Sequence, residues 1–248
     1  MVHTSFPNSH IHFPTVALKP KEGKPPAFLP MHSHGSTDKE GVELGPLLPI
    51  VGDFEWVERL CRVKGVTDIQ LRIKGETDEE KIESLVVQCQ KACEEAGVRL
   101  WINDFWRAAV KAKCFGIHMG QEDLARCADE GGLEVIQRKG IALGISTHSY
   151  AELAAALGVR PSYISLGPIF GTKSKNVAFE PQGLATLFKW RQLINPDIPL
   201  VAIGGINDEQ ISASVREHGC DCVAVISAVT KAKDVDFAVQ EIEKSMKL

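Results

Sequence analysis

At 248 residues, with 44% hydrophobic and 24% charged side chains, the chain is long enough to bury a full core and suits one large α/β domain or two small ones. A net charge of −4, with no Lys/Arg cluster interleaved with aromatics, argues against nucleic acid as a partner, so any phosphate it binds is expected to be small. No apolar run reaches the roughly 20 residues of a membrane span, and the first residues lack a charged-then-apolar secretory pattern; the expected protein is free of the membrane and cytoplasmic.

Residues 1–44 differ in kind from the rest of the chain. By Pro49 the chain has used eight of its 13 prolines, five of its eight histidines precede residue 45, and no helical or strand period is sustained. This reads as a flexible, irregular extension preceding a single domain at 45–248. His3, His10, His12, His32 and His34 have metal-ligand chemistry, but H-x-H in a Pro-rich tail is more often incidental. Phe6, Phe13, Val16, Leu18 and Phe28 leave room for the tail to lie along the domain or on a neighbouring subunit of a homo-oligomer.

From LLPIVG (47–52) onward, strands and helices alternate. FEWVERLCRV has helical spacing, TDIQLRIK (67–74) is a second strand, and DEEKIESLVVQCQKACEEAG a long helix stopped by Gly97. VRLWIN with FWRAAVKA, and FGIHMG with QEDLARCADEGG, continue the alternation. IALGIS, YISLG, PLVAIGG and CVAVIS complete eight strands, each followed by a helical pattern. Strands apolar at nearly every position need cover on both faces, as in a closed (β/α)₈ TIM barrel. The rival open doubly wound sheet calls for a G-x-G-x-x-G turn, which is missing. The seven cysteines, at 61, 89, 93, 114, 127, 220 and 222, fall mostly inside these elements and read as buried reduced thiols; a zinc site would need four of them brought together.

In such a barrel the strand carboxyl ends share one face, where ligands sit. Gln70, Arg72 and Lys74 alternate with period 2 and should point together into the mouth, as anion ligands or as an internal salt-bridge network. IND and MGQED deliver Asp104 and Asp123, a carboxylate pair suited to Mg²⁺ shared with ligand phosphates; alone, Asp123 would read as a first-turn helix acid. His118 reads either as a satisfied core histidine or as a ligand contact. Gly204, Gly205 and Ser227 lie after strands seven and eight, where barrels often cradle phosphate on backbone N–H groups. Between these clusters GPIFGTKSK presents Thr172, Ser174 and Lys175 on a loop able to close over the site.

IQLRIK, IND, GIHMGQED, GISTH, GPIFGTKSK, QGL, AIGGI and VAVISA occur in the order and spacing of the thiamine-phosphate synthase family, which the chain resembles over about residues 46–235. The resemblance implies a (β/α)₈ transferase joining 4-amino-2-methyl-5-hydroxymethylpyrimidine diphosphate to a thiazole phosphate, with release of pyrophosphate and formation of thiamine monophosphate. It implies that Gln70, Arg72, Lys74, Asn103 and Lys175 hold the diphosphate, that Asp104 and Asp123 bind Mg²⁺, and that His118 and Gln70 lie near the pyrimidine. Ser146 would lie beside the reacting centre, and Thr172, Ser174, Gly205, Ile226 and Ser227 would hold the thiazole phosphate. Arg72, Lys74 and Lys175 would stabilise the departing diphosphate, with no enzyme nucleophile.

The chain departs from the family pattern at Phe105 and Trp106, which displace the Arg that often follows IND to Arg107, and at Leu48, where many members carry Tyr near the pyrimidine. A thiazole tautomerase of the same fold, or a non-catalytic binder of thiamine phosphates, are the alternative readings. The pyrimidine kinase that usually supplies the substrate has no domain in this chain.

Overall fold

The structure is a computed structural model that describes residues 28–32, 41–171 and 179–247. Two short strands, β1 (Met31–His32) and β2 (Val42–Glu43), pair in parallel ahead of the main domain. Eight parallel strands then form a closed barrel: β3 (Leu47–Val51), β4 (Asp68–Leu71), β5 (Arg99–Asn103), β6 (Gly116–Met119), β7 (Ala142–Thr147), β8 (Tyr163–Leu166), β9 (Leu200–Ile203) and β10 (Cys222–Val225), which closes onto β3. The (β/α)₈ expectation is met.

Helices α1 (Phe54–Leu60), α2 (Glu79–Ala96), α3 (Trp106–Ala112), α4 (Gln121–Asp129), α5 (Gly132–Arg138), α6 (Tyr150–Val159), α7 (Gly183–Leu193), α8 (Glu209–Glu217), α9 (Ser227–Thr230) and α10 (Val235–Lys247) connect the strands. Their starts are chemically marked. Asp53, Asp78, Ser149 and Asp208 each accept a backbone N–H of the first turn through the side chain. Gly97 ends α2 in the left-handed conformation. Two helices go beyond the sequence reading: α5, which follows α4 after a Gly131 turn, and the single-turn α9. The second barrel strand is shorter than its 67–74 pattern, because pairing stops at Leu71, although the Arg72 N–H still donates to the Val51 carbonyl at 2.8 Å.

Apolar side chains on the outer strand faces pack beneath the helices, while a second cluster fills the barrel itself: Leu48, Ile50, Trp101, Tyr163, Val201 and Cys222 are all at most 5% exposed. Two large rings in so small a barrel need space. Trp101 pairs with Gly116 across β5–β6, and Tyr163 with Gly144 across β7–β8. A Cβ at Gly116 would overlap Trp101, and one at Gly144 would overlap Tyr163. The rings meet edge-on, with centroids 5.0 Å apart.

At the amino end, fully buried Asp68 accepts from Trp101 Nε1 (2.9 Å), Arg99 Nε (2.8 Å), Thr67 Oγ1 (2.9 Å) and the Gly45 N–H (3.2 Å). Met31 and Leu44, buried to 2% and 1% exposure, close this end, and Phe28 packs into the outer layer at 2%. These described parts of the extension therefore lie along the barrel. His32 is in β1, whereas His3, His10, His12 and His34, with Phe6, Phe13, Val16 and Leu18, lie outside the described residues. All seven cysteines are free thiols, six of them buried and Cys61 partly exposed. No helix among the described residues is long and apolar enough to cross a membrane.

Gly116→Ala should lower unfolding free energy by about 1–3 kcal/mol, because Trp101 cannot move without dislodging its bond to Asp68. Gly158→Ala, inside α6 with no atom near the new Cβ, should instead raise it by roughly 0.5–1 kcal/mol. Urea unfolding of the two variants beside the parent checks both signs.

Candidate active site

Strand periodicity carries side chains from the barrel floor to its mouth in steps of two. Asp68, Gln70 and Arg72 climb one stave, Trp101 and Asn103 the next, then Gly116 and His118, Gly144 with Ser146 and His148, and Tyr163 with Ser165. The upper members line a cavity of about 870 Å³, its open mouth included. Leu48 and Ile50 supply an apolar wall, and Gly204, Gly205, Asn207, Ile226 and Ser227 the far side.

A polar line crosses the centre. Burial, then the nearby Cys222 and Asp68, push the Tyr163 phenol well above its usual range, against a hydrogen bond from Gln70, so the O–H is retained. Tyr163 Oη lies 2.7 Å from His118 Nδ1, and His118 Nε2 lies 2.7 Å from Ser146 Oγ. The His118 ring thus bridges the Tyr163 phenol to the Ser146 hydroxyl across the centre of the cavity. Gln121, at the start of α4, donates through Nε2 to the Ser146 carbonyl at 2.7 Å and holds the end of β7 in place.

Arg72 reaches the mouth just past the end of β4. Its Nη1 is buried and makes no hydrogen bond among the described residues, which leaves a guanidinium donor for an anionic ligand. Asn103 lines the same region and donates through Nδ2 to Asp104 Oδ2. Lys74 is exposed and does not line the cavity, since the chain leaves the strand geometry after Leu71. Thr172, Ser174 and Lys175 lie outside the described residues.

Asp104 takes a left-handed backbone at φ 66°, a conformation Asp tolerates better than most residues, with its N–H donating to the His118 carbonyl at 2.9 Å. Its carboxyl meets that of Asp123 across a cleft also walled by Phe105, Trp106 and Glu76. Burial, then the charge and hydrogen bond of Asp123, raise Asp104 from 3.8 to about 6, while Arg72 and the Gly120 N–H oppose the rise. Two carboxylates this close need a proton or a cation between them. Among the described residues no three potential metal ligands converge, but two carboxylates suffice for a magnesium ion that keeps waters and takes ligand phosphate oxygens. Arg107, displaced by the Phe105–Trp106 pair, stacks over Trp106 and pairs with Glu130 at 2.8 Å.

Opposite, Gly204 (φ 99°) and Gly205 (φ 70°) bring the backbone against the loop after β8. A Cβ on either would come within 2.6 Å of Pro168 or Phe170. Asn207 Nδ2 donates to the Gly205 carbonyl at 3.2 Å, and its Oδ1 lies 3.4 Å from Ser227 Oγ at the start of α9. This glycine turn beside a helix start suits phosphate.

Tyr163, His148, Ser165 and Asn207 were not singled out from sequence. The signal for the first three was strand period: His148 lies two residues beyond Ser146, and Tyr163 and Ser165 share an inward face. Asn207 carries no such mark, because only the fold sets it beside Ser227.

A closed (β/α)₈ barrel with a cavity at the strand carboxyl ends, lined by Arg72 on one side and by Gly204 and Gly205 on the other, has the architecture of a TIM-barrel enzyme. A family model described as thiamine monophosphate synthase matches residues 51–229. The chain is 45% identical to thiamine-phosphate synthase of Yersinia pestis over 197 residues, covering 79% of this chain and 87% of that protein. It is 43% identical to the synthase of Salmonella typhimurium over 196 residues, covering 79% and 89%. The solved thiamine phosphate pyrophosphorylase of Pyrococcus furiosus superposes with a TM-score of 0.67 at 26% identity, covering 81% of this chain and 95% of that one. The chain belongs to the thiamine monophosphate synthase family, and its activity is that of a thiamine-phosphate synthase, a transferase of thiamine biosynthesis.

The raised Asp104 carboxyl has a sign that can be checked without substrate. With the folded group at about 6 and the free group at 3.8, the native state binds more protons between these values, so stability falls as pH rises through that window. Asp104→Asn should therefore stabilise the metal-free protein above pH 6 by ~1–2 kcal/mol, after allowance for partial exposure, and by nothing below pH 4. Urea midpoints in EDTA at the two pH values measure the difference.

Proposed function

We propose that the chain catalyses Mg²⁺-dependent coupling of 4-amino-2-methyl-5-hydroxymethylpyrimidine diphosphate with the thiazole phosphate, or its carboxylated form, to give thiamine monophosphate and pyrophosphate. The observation that carries this reading is one continuous cavity with, at one side, an Arg72 Nη1 that has no hydrogen-bond partner among the described residues and, at the other, Gly204, Gly205 and Ser227. Two phosphorylated substrates held at those ends would bring their unphosphorylated rings together at the centre, beside Ser146 and His118.

Arg72 and Asn103 bind diphosphate oxygens, joined by Gln70, Lys74 and Lys175 as the family resemblance implies. A magnesium ion held by Asp104 and Asp123 would supply charge neutralisation to the departing pyrophosphate. Leu48 and Ile50, both buried, pack the pyrimidine and keep water from an electron-poor methylene carbon. Leu48 in place of the Tyr common in the family makes this wall wholly apolar. The Ser146 hydroxyl, held by its contact with His118, lies beside the pyrimidine. The N–H groups near Gly205, the Ser227 hydroxyl, Ile226 and, from the intervening loop, Thr172 and Ser174 fix the thiazole phosphate so that the thiazole nitrogen faces the carbon it attacks. The carbon–oxygen bond to the diphosphate breaks, the carbon–nitrogen bond forms, and the chain needs no nucleophile of its own.

Product formation from the two purified substrates, with Mg²⁺ or with EDTA, tests the reading. Magnesium-dependent thiamine monophosphate and pyrophosphate, lowered by 10²-fold or more in Asp104→Ala, is the expected result, on the order of the loss of one strong electrostatic contact. Equal rates with and without EDTA would remove the metal from the reaction. A folded protein that binds thiazole phosphate and makes no product would remove the coupling activity itself.

A further inference from the structure

Outside the mouth, the structure brings together a second chemically active pair. Cys61 follows α1 and Cys93 lies in the last turns of α2; their sulfurs are 3.7 Å apart, in van der Waals and hydrogen-bond contact. The two residues are separated by 32 positions, so this contact is made by tertiary structure alone. Both helices run back from the strand carboxyl ends, which places the pair toward the amino end of the barrel, away from the cavity.

The seven thiols differ in access. Cys61 is the only one not buried. We propose that Cys61 and Cys93 form a reversible intramolecular disulfide on exposure to a hydroperoxide, stapling α1 to α2. Cys61 is the thiol that reacts first. Its hydrogen bond with Cys93, then Arg62, hold it below the usual thiol range against partial burial and Glu58. Cys93 is pushed far up by its hydrogen bond with Cys61 and by burial, and Cys89, Cys114, Cys127 and Cys220 are pushed up to about 12, by burial first.

The Cys61 thiolate attacks one peroxide oxygen; the O–O bond breaks, and the departing hydroxide or alkoxide takes a proton, leaving a sulfenic acid at Cys61. The Cys93 sulfur then attacks the Cys61 sulfur. The S–S bond forms as the S–O bond breaks, and the hydroxide leaves as water with the proton from Cys93. The peroxide is the two-electron oxidant, and a dithiol reductant returns the disulfide to two thiols. Little movement is required, because the sulfurs already touch.

The test is treatment of the full chain with a small excess of hydrogen peroxide, followed by thiol counting in denaturant and non-reducing peptide mapping. The expected result is a fall from seven free thiols to five, a mass loss of ~2 Da and a Cys61–Cys93 cross-linked peptide, all reversed by dithiothreitol. Cys61→Ser and Cys93→Ser should each abolish the cross-link, and Cys89→Ser should leave it. Because the bridge closes a long loop, the oxidised protein should melt roughly 5–10 °C higher than the reduced one. A thiol count that stays at seven, a bridge from Cys61 to Cys89, over-oxidation of Cys61 without a bridge, or a melting point that does not rise would each overturn the proposal.

Discussion

The structure depends on how two large aromatic rings are accommodated inside an eight-stranded barrel. Trp101 and Tyr163 occupy an interior that usually takes branched aliphatic side chains, and they fit because the paired positions on the adjoining strands are Gly116 and Gly144. Rings of this size would otherwise leave a polar N–H and O–H stranded in the core. Asp68 takes the Trp101 N–H, and Gln70 and His118 take up Tyr163. Packing and polar satisfaction are therefore solved by the same few residues.

That solution reaches upward into chemistry. The Tyr163 ring lies at the floor of the cavity, and its hydrogen bond to His118 continues through that ring to the Ser146 hydroxyl. The centre of the cavity is thus supported from below by core, the arrangement that preorganised catalysis requires. The two ends of the mouth are built differently. One side relies on charge, through Arg72 and the Asp104–Asp123 pair; the other relies on backbone conformation, through the positive φ of Gly204 and Gly205. A carboxylate pair under mutual repulsion is a destabilising feature that only a proton or a cation relieves, which is a reason to find it at a functional site and not elsewhere in the barrel.

Most of the architecture was readable because βα periodicity is a local property. Apolar strand runs, the Asp53, Asp78, Ser149 and Asp208 caps and the Gly97 stop each act within a few residues. α5 escaped notice because it is a seven-residue element held by contacts with α3 and α4 more than by its own pattern, and α9 because a single turn has no period to read. Lys74 lies beyond the reach of the strand pattern: its period-2 spacing from Gln70 and Arg72 holds in the sequence, but strand pairing ends at Leu71 and Lys74 is exposed.

The site divides along the same line. Sequence by itself determined the barrel, the face on which ligands would lie, and the residues at strand ends, Gln70, Arg72, Asn103, Asp104, His118 and Ser146 among them, because strand alternation and chain order dictate them. It also carried linked motifs specific enough to point to a family. Only tertiary structure decided that Tyr163 would meet His118, that Asn207 would stand beside Ser227, and that Cys61 would touch Cys93. Those contacts join residues distant in the chain, and their geometry is set by barrel closure and by the space that two glycines leave for two rings, quantities that no local pattern encodes.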